Sequence, residues 1–208
     1  MQTLCECDIS LILPVYNLEK YISPMLECLK AQDFGDYKVE IIFIINNCTD
    51  RTEEVIRESG LECEILHCSI QGCGPARNVG LEHARGNYIW MLDGDDWLLS
   101  NTAVKDVLDR AYRDDLNILY IPFESEKYKY QYFSMCVQYL LKRDYIKEFR
   151  FPNFQPSEDD AYMLMVLKKA GKNTHNYKTL PSFPKALYYY NYMREGSNMY
   201  RHYHGEKI

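Results

Sequence analysis

Residues 87–96 read NYIWMLDGDD, an apolar run of strand length that leads directly into Asp93, Gly94, Asp95 and Asp96. Three carboxylates within four positions repel one another, and a divalent cation would remove that conflict. Mg²⁺ and Mn²⁺ prefer oxygen ligands, and Gly94 allows the backbone to turn sharply beside a ligand. Asp-Gly is also a common turn dipeptide, but a plain turn does not explain the third aspartate. The stretch therefore predicts a buried strand that ends at a metal site.

The rest of the first half alternates between two patterns. Apolar, β-branched runs predict strands, and apolar residues spaced three or four apart predict helices. Such alternation predicts βαβ units in a mostly parallel sheet with helices on both faces. Pro24 lies inside the first predicted helix and is expected to kink it. The predicted strands are 8–15, 38–45, 62–68 and 87–92, and the predicted helices are 18–32, 52–59 and 75–84.

Polar clusters follow three of these strands, at residues 14–17, 46–52 and 93–96. In an open, mostly parallel sheet, ligands bind beyond the carboxyl ends of the strands. We therefore expect the three clusters to meet at one edge of the sheet and to form a binding site there.

The second half of the chain has a less regular pattern. Residues 129–149 are rich in Tyr and Lys and predict a helix, and residues 158–169 form an amphipathic helical pattern that opens with three acidic residues. No internal repeat or low-complexity linker interrupts the chain, so one domain spanning 1–208 is predicted. The remaining predicted elements are a helix at 102–113 and strands at 117–123 and 186–192.

Length and composition limit the class of protein. A chain of 208 residues can bury a substantial core as one domain. It has no run of about 20 apolar residues, as a membrane span requires, and its first residues lack the pattern of a secretory signal, so a cytoplasmic protein is expected. The eight cysteines match no paired zinc-ligand spacing and are predicted to be free thiols.

Charge is divided unevenly between the two halves. Residues 1–96 carry 7 basic and 17 acidic side chains, a net charge of −10, whereas residues 97–208 carry 17 basic and 13 acidic ones, a net charge of +4. A uniformly basic footprint for nucleic acid is absent. Most of these charges are typical of a solvated surface, but the basic half favours contact with an anionic partner, such as a phosphate-bearing acceptor or a membrane surface.

Four motifs in this order resemble glycosyltransferase family 2. They are PVYN at 14–17, NNCTDRT at 46–52, ARNVGL at 76–81 and MLDGDD at 91–96. Each motif alone has low specificity, but all four in order with suitable spacing are specific. The resemblance implies a GT-A fold, which is Rossmann-like, and an inverting transfer of a sugar from a nucleotide-sugar donor with Mn²⁺ or Mg²⁺. It also implies that residues 1–99 bind the donor and that residues 100–208 form a shorter acceptor-side half.

The resemblance assigns donor-binding roles in the first half. Tyr16 would stack on the nucleobase, although simple packing at a strand end is the alternative. Asn46 would read the base edge. Family members usually carry two acidic residues where this chain has Ile45 and Asn46, and an Asn side chain both donates and accepts hydrogen bonds, so a UDP-sugar is an expectation from the family. The residues implied for donor binding are Pro14, Tyr16, Asn46, Arg77, Asp93 and Arg194.

The metal and the general base are also implied by the resemblance. Asp95 would contribute most directly to the metal, with Asp93 and Asp96 touching the metal or the ribose. Family members carry a Glu-Asp pair that opens a helix, which corresponds to Glu158 and Asp159. Asp159 would then take the proton from the acceptor hydroxyl, with Glu158 as its neighbour or substitute. Capping of the helix N-terminus is the structural alternative for both residues.

The C-terminal tail resembles the family in part. The segment REGS at 194–197 is similar to an ending that closes over the donor, although Tyr192 replaces an Arg often present there. The planar fork of Arg194 suits a diphosphate, and a surface arginine in a turn is the alternative. His202 and His204 are candidates for a metal ligand from the tail, or for exposed residues without such a role.

Two other functions stay open. A sugar nucleotidyltransferase would need a Gly-rich, basic loop near the N-terminus to grip a triphosphate, and this chain has PVYNLEKY there. A non-catalytic, nucleotide-binding adaptor could use the Tyr-rich segment 129–145 to bind a partner. The loss of the family's acidic residue at Ile45 favours this alternative. The acceptor is expected against the second half, near Tyr130 and Tyr132, but its class (glycan, lipid-linked sugar, protein or modified nucleic acid) is open.

Overall fold

The computed structural model describes residues 7–125, 135–153, 157–172 and 180–191. These residues form an α/β fold whose strands and helices alternate through the first half of the chain. The strands are β1 (Cys7–Val15), β2 (Val39–Ile45), β3 (Glu64–His67), β4 (Gly86–Met91), β5 (Trp97–Leu98), β6 (Ile118–Tyr120), β7 (Phe123–Glu124), β8 (Tyr139–Lys142) and β9 (Tyr188–Tyr189). The helices are α1 (Ser23–Lys30), α2 (Thr52–Glu58), α3 (Cys73–His83), α4 (Ala103–Arg113), α5 (Arg143–Ile146) and α6 (Glu158–Lys169).

Six strands form the central sheet, in the order β3-β2-β1-β4-β8-β6. β1 pairs in parallel with β2 and β4, and β2 pairs in parallel with β3. β8 runs antiparallel between β4 and β6. Every residue of β1 except Asp8 is buried, as expected for a central strand that is covered on both faces. The prediction of a mostly parallel α/β sheet flanked by helices is confirmed.

α3 packs unusually close to the sheet. A Cβ atom at Gly80 would lie 2.4 Å from Ile12 Cγ2 and 3.1 Å from Ile44 Cδ1, so only glycine allows this approach. α3 begins shortly after β3 ends, and its first turn therefore lies at the carboxyl edge of the sheet. The three polar clusters follow β1, β2 and β4 at the same edge.

The first helix is shorter than the sequence predicted. α1 begins at Ser23, which places Pro24 in its first turn and not inside a longer helix. A proline has no N–H to donate, and the first turn of a helix needs none. Residues 18–22 form a turn instead, in which the Ile22 amide donates to the Leu18 carbonyl (3.0 Å). The predicted kink at Pro24 is therefore wrong.

The predicted helix at 129–149 is also wrong in its described part. Residues 135–149 contain a 3-10 turn, strand β8 and the short helix α5. In β8, Leu140 lies opposite Trp90 of β4 on one side and Leu119 of β6 on the other. The edge of β4 needs hydrogen-bonding partners, and this tertiary demand overrides the local helical pattern.

The remaining predictions for the second half hold in part. The helix at 158–169 is confirmed as α6. The strand predicted at 117–123 is divided into β6 and β7 by a break at residues 121–122, and β9 covers two residues of the predicted strand at 186–192. β5, β9 and β7 form a second, three-stranded sheet, in which the rings of Trp97 and Tyr189 stack with centroids 4.1 Å apart.

The sequence also predicted free cysteines and the absence of a membrane-spanning run. The seven cysteines in the described residues are free thiols, as predicted, and Cys5 lies outside those residues. Among the helices that the structure describes, none is long and apolar enough to cross a bilayer.

Candidate active site

The loops that follow β1 and β2 are joined by hydrogen bonds at the carboxyl edge of the sheet. The amide of Thr49 donates to Asn17 Oδ1 (2.8 Å), and the amide of Leu18 donates to Thr52 Oγ1 (2.6 Å). Asn17 adopts a positive φ of 51°, which asparagine tolerates better than most residues. Tyr16 lies between the end of β1 and Asn17, and it is 39% exposed. The loop thus presents an aromatic ring to solvent, where a planar ligand group could stack on it.

Asn46 is buried and its side-chain amide is engaged by the protein. Nδ2 donates to the carbonyls of Cys68 (3.2 Å) and Ile70 (2.7 Å), and Oδ1 accepts from the amide of Gly72 (2.8 Å). These bonds hold the segment between β3 and α3 against the end of β2. Recognition of a base edge by Asn46 stays a prediction, and it would require Asn46 to share or exchange these bonds.

Arg77 of α3 stands at the centre of an acidic cluster. Its Nη2 donates to Asp93 Oδ1 (2.9 Å), and its Nη1 donates to Asp159 Oδ1 and lies 3.5 Å from Glu158 Oε1. The Arg77 side chain is 3% exposed, and its guanidinium lies 5.4 Å from the centroid of the Phe151 ring. One buried cation therefore joins the acidic turn, which we define as residues 93–96, to the first residues of α6.

Asp159 lies in the first turn of α6 with a partly exposed side chain. Burial raises the pKa of Asp159 to about 6, although the neighbouring Arg77 lowers it. The nearby carboxyl groups of Glu158 and Asp93 act in the same direction as burial. A carboxylate with this pKa is ionised at neutral pH and is still basic enough to accept a proton, as a general base must.

The acidic turn is held from the other side by the segment around β9. The Tyr188 hydroxyl donates to Asp96 Oδ2 and accepts from the amide of Asp93 (3.2 Å). The amide of Asn191 donates to Asp96 Oδ1 (2.8 Å), and its Nδ2 donates to the Asp95 carbonyl (3.1 Å). Burial, followed by the charges of Asp95 and Asp93, raises the pKa of Asp96 well above its usual range. Burial and the hydrogen bonds to both carboxylate oxygens suit Asp96 to holding the turn in place.

The residues present fit a cation only if a ligand completes its coordination. In the part of the chain that the structure describes, no group of three or more His, Cys, Asp or Glu side chains could hold a metal ion. Asp93 and Asp95 are both partly exposed at the acidic turn. Mg²⁺ and similar cations commonly take one or two protein carboxylates and draw further oxygens from a bound phosphate. This turn suits that kind of site.

Sequence reasoning missed several residues that line the site. Tyr188 and Asn191 hold the acidic turn, and Tyr190 lies close enough to its carboxylates that they, after burial, raise the pKa of its phenol. Cys73 and Cys136 lie beside Arg77. For the residues around β9, the Tyr-rich run before residue 192 predicts a strand but not that the strand holds the acidic turn. Arg194, His202, His204, Tyr130 and Tyr132 lie outside the described residues.

The family follows from the sequence match. The model of the family described as Glycosyl transferase family 2 matches residues 10–174, which is most of the chain. That match contains the three polar clusters, Arg77 and the first turn of α6. The chain belongs to glycosyltransferase family 2. The family expected from the four motifs is thereby confirmed.

Two relatives of this family-2 chain share its sequence at moderate identity. The minor teichoic acid biosynthesis protein GgaB of Bacillus subtilis is 25% identical over 219 residues, covering 92% of this chain and 24% of GgaB. The poly(ribitol-phosphate) beta-N-acetylglucosaminyltransferase TarS of Staphylococcus aureus is 33% identical over 116 residues, covering 52% of this chain and 20% of TarS. This chain thus spans a quarter or less of either relative.

Solved structures share the fold of this family-2 domain. TarS 1–349 in complex with UDP-GlcNAc has a TM-score of 0.79 at 23% identity, over 93% of this chain and 60% of that one. The mannosyltransferase PcManGT of Pyrobaculum calidifontis, in complex with GDP-Man and Mn²⁺, has a TM-score of 0.70 at 14% identity, over 94% and 60% of the two chains. At these identities the likeness establishes the GT-A fold alone.

Proposed function

We propose that this chain is the catalytic domain of a metal-dependent, inverting glycosyltransferase, with a nucleotide-sugar donor and Asp159 as general base. The observation that carries the proposal is the Arg77 guanidinium, which binds Asp93 of the acidic turn and Asp159 of α6. A donor diphosphate at the turn and an acceptor hydroxyl at Asp159 would therefore be neighbours. Transfer needs this proximity, because the acceptor oxygen must reach the sugar carbon that leaves the diphosphate.

The donor is proposed to lie along the carboxyl edge of the sheet. Its base would stack on the exposed ring of Tyr16, beside Pro14, and its diphosphate would reach the acidic turn. A UDP-sugar is proposed because the closer of the two structural relatives, TarS, binds UDP-GlcNAc. The acceptor is proposed to approach from the half of the chain after residue 99, since α6 and β9 border the base and the turn.

Mn²⁺ or Mg²⁺ is proposed as the cofactor. Asp95 and Asp93 would hold it together with oxygens of the donor diphosphate. When bound, such a cation supplies positive charge that offsets the charge of the diphosphate leaving group. Asp96 is left out of this ligand set, because hydrogen bonds from Tyr188 and Asn191 occupy its two oxygens. The complex of PcManGT with Mn²⁺ supports the choice of metal.

Asp159 is proposed to remove one proton as transfer proceeds. The acceptor oxygen forms a bond to the anomeric carbon while the bond from that carbon to the diphosphate oxygen breaks, and the acceptor proton moves to the Asp159 carboxylate. The reaction inverts the anomeric configuration, since attack and departure take place on opposite faces. Because the carboxylate must be ionised to accept the proton and its pKa is raised to about 6, activity should rise with pH through about 6 and then level off.

The test is release of nucleotide from UDP- and GDP-sugars in the presence of Mn²⁺, measured for the natural chain and for Asp159→Asn. We expect Asp159→Asn to lower kcat by about 10²–10⁴-fold, because a general base is lost, with little change in donor KM. Asp160→Asn is the matched control, because Asp160 is the exposed neighbour on the same helix turn. Unchanged turnover in Asp159→Asn would show that another group is the base.

A non-catalytic nucleotide-binding domain is the second candidate. It is favoured by the lack of three converging metal ligands among the described residues. Thermal-shift titration of UDP, GDP and CDP, each with and without Mn²⁺, separates the two functions. A transferase should bind nucleotide more tightly with Mn²⁺ and lose that gain in Asp95→Ala. Binding that ignores both the metal and the substitution would favour the non-catalytic domain.

A further inference from the structure

Arg77 has contacts that do not suit the donor-binding role implied by its motif. Within the proposed transferase, and resting on that function, we infer that Arg77 is a positioning residue that aims the Asp159 carboxylate and ties it to the acidic turn. It acts on the reaction through Asp159 and does not bind the diphosphate.

The hydrogen bonds of Arg77 are directed at carboxyl groups of the protein. Nη1 donates to Asp159 and lies 3.5 Å from Glu158, and Nη2 donates to Asp93 at 2.9 Å. Nε is buried and has no hydrogen-bond partner among the described residues. With 3% of the side chain exposed and the Phe151 ring beside it, an incoming diphosphate has almost no access to the guanidinium. The planar, rigid fork of an arginine fixes the direction of both carboxylates.

The backbone that carries Arg77 is locked to the segment before α6. Asn78 Nδ2 donates to the Phe151 carbonyl (2.9 Å), and the Phe151 amide donates to Asn78 Oδ1 (2.8 Å). A Cβ atom at Gly74 would lie 2.8 Å from the Pro152 carbonyl oxygen, so α3 and this segment are in close contact. Arg77 therefore holds Asp159 from a framework that is already rigid, which is what a positioning residue requires.

The charge of Arg77 also acts on Asp159. Burial, Glu158 and Asp93 raise the pKa of Asp159, whereas Arg77 and a hydrogen bond with Cys136 lower it. Loss of the guanidinium would leave the opposing effects in place, so Asp159 would keep its proton to higher pH. The titratable or charged groups that act on Asp159 or respond to it are Arg77 and Cys73 of α3, Asp93 of the acidic turn, Cys136 of the 3-10 turn, Glu158 of α6 and Tyr190 after β9.

A double-mutant cycle tests whether Arg77 acts through Asp159. Arg77→Lys keeps the charge but loses the fork, and we expect it to lower kcat about 10²-fold, the effect of a small misplacement of a reacting group, with donor KM nearly unchanged. In the Asp159→Asn background the same change should have almost no further effect. Losses that multiply, or a rise in donor KM with unchanged kcat, would overturn the role. Arg57→Lys, in an exposed ion pair on α2, is the matched control.

Crystal structures provide a readout that does not depend on turnover. In Arg77→Lys we expect the Asp159 carboxylate to turn away from its position in the natural chain, while the fold is kept. A carboxylate that stays in place would overturn the inference, even if no donor supports activity. A chain that is inert with every nucleotide sugar would instead refute the proposed function.

Glu158→Gln tests the same cluster without altering Arg77, in case Arg77→Lys does not fold. This change removes the carboxylate that shares Nη1 with Asp159 and that raises the pKa of Asp159. The acid limb of the pH–rate profile should therefore move to lower pH. A limb that stays in place or moves to higher pH would contradict the proposed arrangement around Arg77.

Discussion

At the scale of single residues, Asp96 and Asp159 illustrate how partners divide one residue type between two tasks. Both oxygens of Asp96 accept hydrogen bonds, one from the Tyr188 hydroxyl and one from the Asn191 amide, and its side chain is buried. Asp159 is 21% exposed and shares a guanidinium with other carboxyl groups. An aspartate whose oxygens are both occupied stabilises a turn, whereas an accessible one beside a cation can exchange a proton with a substrate.

Tyr188→Phe is a prediction at this scale. The change removes the hydroxyl that donates to Asp96 and accepts from the amide of Asp93, and leaves the buried Asp96 carboxyl group and the partly buried Asp93 amide each short of a partner. We expect the free energy of unfolding to fall by about 1–3 kcal/mol. Because the acidic turn loses an anchor, the Mn²⁺ concentration needed for half-maximal activity should also rise. Urea unfolding and a metal titration measure the two effects.

Tyr112→Phe is the control for that prediction. Its hydroxyl also binds an aspartate, but Tyr112 is exposed, and its partner Asp8 lies at the beginning of β1, at the opposite edge of the sheet from the acidic turn. Exposed hydrogen bonds exchange readily with water, so stability and metal dependence should both stay near those of the natural chain. Equal effects of the two substitutions would mean that Tyr188 has no special role at the turn.

At the scale of elements, the site depends on how closely α3 approaches both the sheet and the segment before α6. Gly80 permits contact with Ile12 and Ile44 of the sheet, and Gly74 permits contact with Pro152 and with the Glu158 side chain. The two glycines lie on one helix but face different neighbours. One contact supports the core, and the other sets the distance between Arg77 and the first turn of α6.

Gly74→Ala and Gly80→Ala should therefore have different consequences. The added methyl group overpacks both contacts, at a cost of about 1–3 kcal/mol, which the better helix propensity of alanine offsets only in part. Both variants should show a lower midpoint in thermal unfolding. Only Gly74→Ala should also lose turnover per folded molecule, because it displaces α6 relative to Arg77. Equal specific activity in the two folded variants would contradict this reading of Gly74.

At the scale of the whole molecule, the two halves of the chain share one sheet. β8 from the second half pairs with β4 from the first, and Trp90 Nε1 donates to the Val137 carbonyl (2.8 Å). The acidic turn is likewise held by Tyr188, close to the end of the described residues. The division into a donor half (1–99) and an acceptor half (100–208) is therefore proposed as a division of function within one folding unit.

A fragment of residues 1–99 should not fold on its own. Without β8, the edge of β4 has no hydrogen-bonding partner, and the buried Trp90 loses its cover and its acceptor. We expect the fragment to aggregate or to lack a cooperative urea transition, whereas the full chain should unfold in one. Circular dichroism and urea titration of both proteins decide the matter. Cooperative unfolding of the fragment would favour two separate units.

The sequence predicted the first half of the fold well and the second half less well. β1, β2 and β4 are largely apolar runs of strand length. Such runs are typical of strands in a parallel sheet whose two faces are both covered by helices, so the sequence pattern alone predicts them. The local pattern of the residues in β8 favours a helix. They form a strand because the edge of β4 would otherwise lack hydrogen-bonding partners. The break at residues 121–122 and the late start of α1 at Ser23, just before Pro24, are similar cases, in which packing or a helix end decides the boundary.

The sequence by itself determined the family, the alternation of strands and helices, and the meeting of polar clusters at one edge, because these follow from local patterns and from topology. The tertiary structure decided which carboxylates share Arg77 and which residues, Tyr188 and Asn191, hold Asp96. It also decided how burial and neighbouring charges change the pKa of Asp159. Those properties arise between side chains from distant segments. Burial and electrostatic energy depend on the distances between such groups, and these are set only when the chain has folded.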